Sequence, residues 1–278
     1  MADWKQSITQ VVGAERISKI QDYVAQEPHK ECSPIDEYYQ EIREVTSAFS
    51  AKCLSEKPWL GSILTVAIVS ATENYFRNLL SRVLKVCSDS QKNASQQNIN
   101  FGSVLWHPSN VIERGAFEHI SFSGSDKIID VTKKYIGLDL KQGSLSQVLE
   151  EFDIVCELRH GVVHSGRVLA GKNAIRLKLP SSDQVTRIEV RYGQLQEIAA
   201  VCATLVVAYN QLIFVEMCKR WATSWRRTPL WDKTAENKKF KALWDAFFSD
   251  IDRTHGTIPD SMTWIKCRNL VKKEFNVA

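Results

Sequence analysis

The chain has 278 residues, 44% of them hydrophobic and 24% charged, with a formal net charge of +4. That is room for one large or two modest domains and enough apolar material for a proper core. The charge is too small to mark a nucleic-acid binder, and the absence of an uninterrupted apolar run of about 18 residues argues against a membrane span.

The longest apolar candidate, Ile198 to Val215, is interrupted by Thr204, Asn210 and Gln211. The opening MADWKQSITQ lacks the apolar core of a signal peptide. Seven cysteines (32, 53, 87, 156, 202, 218 and 267) lie far apart, with Cys156 and Cys202 inside apolar runs. Reduced, buried thiols of a cytoplasmic protein fit this better than disulfides. There is no CxxC, HExxH, P-loop or GxGxxG. No cofactor and no metal are expected.

Residues 1–57 read as an N-terminal helical segment. ERISKIQDYV and IDEYYQEIREVTSAFSAKCL carry apolar residues at three- and four-residue spacing. Pro34 after Ser33 marks a helix start. Ile35, Tyr38, Tyr39, Ile42, Val45 and Phe49 make its buried stripe. Pro58-Trp59-Leu60-Gly61 then punctuates the chain, and SILTVAIVSATENYFRNLLSRVLKVC follows as a long helix. Its first half is apolar nearly all round, which predicts a central, buried element.

Glu73 and Arg77 share a face of that helix. They read either as an exposed ion pair or as a charged pair facing an active cleft. Residues 88–100 are polar and read as a mobile loop. Short helices are predicted around 108–119 and 125–136. His107 and His119 in this region are set aside as packed or surface residues.

A helix capped by Ser144 or Ser146 runs through Leu149, Phe152, Val155, Cys156, Leu158 and Val162. Then the period changes. Ile175, Leu177 and Leu179 alternate with Arg176 and Lys178, and Val185, Ile188 and Val190 form a second run after Pro-Ser-Ser-Asp. This predicts a β-hairpin. Residues 194–221 are another long apolar helix.

Five of the eight tryptophans, 221, 225, 231, 244 and 264, lie in the tail from residue 219. Residues 219–278 hold 13 Lys+Arg against 7 Asp+Glu, so the rest of the chain has 36−13 = 23 basic and 32−7 = 25 acidic residues. Two amphipathic helices are predicted in this tail, over NKKFKALWDAFFSDI and SMTWIKCRNLVKKEF. The tail reads either as a nucleic-acid-binding appendage or as an annex whose tryptophans pack on the main bundle. The segments are thus 1–57, 58–218 and 219–278.

The stretch Glu157-Leu-Arg-His-Gly-Val-Val-His164 carries the chemistry. Cleavage of RNA without metal needs a base for the 2′-OH, an acid for the departing 5′ oxygen and a cation for the phosphorane. Arg159, His160 and His164 supply those types, histidine titrating near neutrality and arginine offering phosphate a planar fork. Arg159 and His164 lie about 140° apart on an unbroken helix. They converge only if the helix ends or distorts, or if a dimer brings two copies together. A helix C-terminus that merely carries Arg and His is the structural alternative.

ELRHGVVHSG resembles the R-x4-6-H motif of the HEPN superfamily of ribonucleases, with His160 in the polar slot after the arginine. AIVSATENYFRNLL resembles that family's earlier ExxxR helix. The resemblance covers roughly residues 60–218. It is most similar to the RiboL-PSP/MAE branch of toxin and defence proteins, which has a hairpin-like insertion and a long last helix. It implies a mainly α bundle that dimerises around a composite site. In it Arg159 binds the scissile phosphate, His164 acts as general base or acid, and His160 orients them. Glu73 and Arg77 support the site. It further implies an RNA substrate, with tRNA among the candidates, 2′,3′-cyclic phosphate and 5′-OH products, and a protein or antitoxin regulator. Some members of the superfamily are non-catalytic binding modules, which is the alternative.

Overall fold

The computed structural model describes residues 8–9, 13, 16–26, 32–109, 111–140, 145–227 and 231–277. It separates into two compact units, Met1–Glu31 and Cys32–Ala278.

In the first unit the described residues form a single 3-10 turn, Ile20–Tyr23, with no buried residue. The α-helix expected over ERISKIQDYV is therefore corrected to this turn. A short helix that buries no apolar face is marginal in water.

The second unit is mainly α. Its helices, among the described residues, are α1 (Pro34–Ser47), α2 (Ala51–Glu56), α3 (Pro58–Val86), α4 (Ser88–Ala94), α5 (Phe101–Trp106) and α6 (Ser125–Val131). After these come α7 (Ser146–Ser165), α8 (Gly171–Arg176), α9 (Tyr192–Ala222), α10 (Glu236–Phe247), α11 (Asp250–Thr254) and α12 (Trp264–Glu274). Helix α3 is the hub, packing on α1, α7, α9 and α10. Phe76 lies at its middle, stacked on Phe122 and meeting Tyr75 and Tyr209 edge-on, all four fully or nearly fully buried.

Helix α9 is apolar and long enough to cross a membrane by composition. One face of it enters the core, with Leu205, Val206, Tyr209, Ile213 and Met217 buried, while Val207 and Val215 are exposed. Helices α10 and α12 pack on it as well. Trp221, Trp225 and Trp244 are buried, and Trp231 and Trp264 pack against the same core. The tail tryptophans are thus packing residues first.

Ser33 caps α1 through its Oγ, which accepts from the Asp36 amide, with Pro34 in the first turn. The predicted stripe holds from Ile35 to Val45, but α1 ends at Ser47 and Phe49 is left exposed. Ser50 caps a new helix instead. Asp36 is itself 3% exposed. Its carboxylate accepts from the Ser249 hydroxyl and from the amides of Asp250 and Ile251, which ties α1 to the start of α11. Asp36→Ala leaves those donors without an acceptor. A loss of about 3 kcal/mol is expected, read as a lower denaturant midpoint at unchanged slope.

Two further expectations are corrected. The loop read over 88–100 contains α4, whose first turn is capped by the Cys87 sulfur. The β-hairpin is not present among the described residues. Helix α8 ends inside the first of its two runs, at Arg176, and residues 177–179 leave it as a turn and irregular chain, with Ile175 exposed. Asn173 fixes α8 from below, being buried and bonded to Glu157 of α7. The second run meets residues 167–169 in one isolated antiparallel bridge, Val168 with Arg187. The alternation in 175–179 thus marks no strand face. Of the two proposed α7 caps, Ser144 lies outside the described residues, and Ser146 is the first helical residue rather than the cap.

Candidate functional site

Helices α3 and α7 pack together. Burial pushes the Cys156 thiol up, with Cys202, Asp153 and Glu73 adding to the shift and Arg159 opposing it. Cys156 of α7 therefore sits within electrostatic reach of Glu73 on α3. One and a half turns later, Gly161 packs on Ile188. Near the start of α3, Gly61 packs on Val190 and Ser62 donates to the Ile188 carbonyl at 3.0 Å. The C-terminal end of α7 and the first turn of α3 therefore both pack on residues 188–190.

Helix α7 runs unbroken through the motif and ends at Ser165, with Gly166 left-handed at φ 56°. Gly161 is interior to the helix, so it does not end there. His160 and His164 lie one turn apart, both exposed, with ring centroids 4.6 Å apart. Arg159 projects from a different flank, on the side of Phe152 and Cys156. It is partly buried, and its Nε has no hydrogen-bond partner. Within one chain, then, the structure brings the two histidines together and separates Arg159 from His164.

The histidine flank of α7 also carries Asp153 and Glu157. Asp153 accepts from the Ser125 amide at 2.7 Å and from its hydroxyl, fixing α6. Glu157 accepts from Asn173 and Arg176, fixing α8. The motif is thus presented on a braced surface between two short helices. His160 and His164 also have the spacing by which a helix can offer two imidazoles to one metal ion. Among the described residues no group of three His, Cys, Asp or Glu is assembled.

Glu73 and Arg77 are not an exposed pair. Glu73 is 6% exposed and accepts from Ser121 Oγ at 2.8 Å, with Arg77 Nη2 3.7 Å from the same oxygen. Arg77 donates to the Ile120 carbonyl at 2.9 Å and lies over the Phe122 ring. The pair braces the 120–122 segment against α3. Ser121, its third member, has no sequence signal of its own, because a serine in a loop is unremarkable until it folds onto a buried carboxylate.

Two other features lie apart from the motif. His107 pairs with Glu118, which also accepts from Ser103 at 2.8 Å. A cleft of about 360 Å³ opens beneath residues 177–190, lined by Ile154, Leu158, Leu179, Ile198 and Val201 with Glu197 at its edge. Ile154 and Leu158 place it on a different flank of α7 from the histidines.

At the motif end of the bundle several large apolar side chains are exposed. They are Trp59 and Ile63 on α3, Val163 on α7 and Tyr192 on α9. Scans of protein-family models, of characterised proteins and of solved structures each find no match to this chain.

Proposed function

We propose that this protein is a metal-independent endoribonuclease of the HEPN type, acting as a homodimer. The observation that carries the reading is the placement of Arg159, His160 and His164 on the last turns of α7. Both imidazoles stand open to solvent, one turn apart, on a braced helical bundle. An RNA phosphate held between two copies of this surface meets the groups its cleavage requires. His164 serves as general base or acid, and His160 orients the phosphate and its partner ring. Arg159 supplies the phosphate fork through its terminal nitrogens, since Nε is buried. Cleavage by 2′-OH attack leaves a 2′,3′-cyclic phosphate and a 5′-OH. Glu73 and Arg77 act by positioning.

The divergence of Arg159 from His164 calls for a second copy of the chain, whose motif supplies the missing partner. The apolar side chains of Trp59, Ile63, Val163 and Tyr192 at this end support such a contact, because a dimer there withdraws them from water. The biological setting we favour is a cytoplasmic toxin or anti-phage effector that cuts tRNA or other RNA and is restrained by a protein partner.

The same divergence, with the Nε of Arg159 buried, favours a second reading, a non-catalytic HEPN-like module that binds nucleic acid or protein. Incubation of total RNA and tRNA with purified protein in EDTA separates the two. Cutting that persists in EDTA and ends in Arg159→Ala and His164→Ala supports the nuclease. Intact RNA at high enzyme concentration, with RNA or protein still bound, supports the module. Cutting that EDTA abolishes assigns the histidine pair to a metal and removes the metal-independent mechanism.

A further inference from the structure

The tail's excess of cations is not scattered. Glu236, in the first turn of α10, takes Arg226 at 3.1 Å and Lys272 of α12 at 2.6 Å. Burial opposes its ionisation, but hydrogen bonds from both cations outweigh this and hold its carboxyl below the ordinary value. One residue on, Asn237 accepts from Arg268. Lys239 lies 4.7 Å from the centre of the Trp231 ring and Arg226 lies 4.9 Å from it. Four cations therefore converge on the start of α10. Arg227, Lys238 and Lys273 adjoin them in sequence and are exposed.

The way these cations are held decides what they can do. Arg268 is fixed by Asn237, by Asn269 at 2.8 Å and by the Trp264 ring at 5.7 Å, all neutral. Lys239 is fixed by Trp231. Amides and aromatic faces order a cation without neutralising it. Glu236 and Asp232, which lies within electrostatic reach of Lys239, are the anions here, two carboxylates against four cations. A folded surface that collects ordered, unneutralised cations pays a repulsion that an anion relieves.

We propose that the α10–α12 face binds the phosphate backbone of a nucleic acid, apart from the motif on α7. The contact reads phosphate and not sequence. The tail's rings are buried or are holding cations, so none stands as an open platform for base stacking. The inference is independent of the nuclease reading, since binding here needs no cleavage.

The test uses full-length His164→Ala protein, so that RNA survives the measurement. A labelled single-stranded RNA of about 20 nucleotides, the DNA of the same sequence and anionic phospholipid vesicles are titrated between about 50 and 200 mM salt. RNA and DNA are expected to bind alike. Arg227→Ala/Lys238→Ala/Lys273→Ala is expected to weaken binding on the order of a hundredfold near 0.1 M salt, with the log–log salt slope falling by about two. These side chains are exposed, so thermal melting stays unchanged and a folding defect is separable. Undiminished RNA binding by the triple variant overturns the proposal, as does binding to vesicles alone. A wild-type protein that never cuts RNA, with a triple variant that no longer holds it, overturns the nuclease and leaves this surface standing.

Discussion

Co-expressing Arg159→Ala and His164→Ala chains is expected to restore RNA cleavage that neither variant has alone. In the proposed nuclease each single change removes a group that would touch the reacting phosphate, and a loss on the order of 10² to 10⁴ in rate is expected for the acid–base residue. On one unbroken helix the two side chains point about 140° apart, so a single chain does not offer both to one phosphate. In a symmetric dimer each site draws arginine from one copy and histidine from the other. A mixed dimer then has one site with both defects and one with neither. Random pairing makes half of all dimers mixed, so about one quarter of wild-type activity returns. The readout is cleavage rate against protein concentration, with dimerisation followed by sedimentation. Folded, dimeric mixtures that stay inactive would sink the composite site. So would a wild-type protein that cuts while monomeric.

The second large effect is on stability, at Gly61. A Cβ built there would lie 1.9 Å from the Val190 carbonyl oxygen and 2.9 Å from its carbon, both main-chain atoms. Neither can rotate away. The 188–190 segment must move, and with it the Ser62 bond to the Ile188 carbonyl. Overpacking of this kind costs about 1–3 kcal/mol or more. Gly61→Ala is expected at or above the top of that range. Gly161→Ala is the control. Its Cβ would meet the Ile188 Cδ1 at 2.5 Å, the free end of a flexible side chain. Alanine favours a helix over glycine by about 1 kcal/mol at both positions, so the difference rests on the clash alone. The net cost of Gly161→Ala is smaller because a side-chain end can move, and thermal melts of the two variants should rank in that order. Equal melting temperatures would show that 188–190 yields easily and does not clamp the motif end of α7.

Much of the architecture was legible in the sequence because it rests on local rules. The apolar runs of α3 and α9, the Ser33–Pro34 start of α1 and the amphipathic α10 and α12 all follow from periodicity and capping, which neighbours in sequence decide. The hairpin failed because alternation over five residues is weak evidence. Asn173 and Arg176 bond to Glu157 of α7 and hold a short helix that ends at Arg176, inside that stretch, and Glu157 lies 16 and 19 residues from them in sequence. The 15–24 helix failed because an amphipathic pattern holds a helix only when something covers its apolar face.

For the candidate site, the sequence by itself determined which side chains exist at the end of α7 and that Glu73 and Arg77 share a face. Helical spacing also fixed the divergence of Arg159 from His164. Tertiary structure decided the rest. It carried α7 past Gly161 without a break, left both histidines in solvent and buried the Nε of Arg159. It also turned an i,i+4 pair into a buried brace with Ser121 and gathered the tail cations around Glu236. Residue type and helical angle are properties of a segment. Burial and the partner of a charge belong to whatever the rest of the chain packs against it.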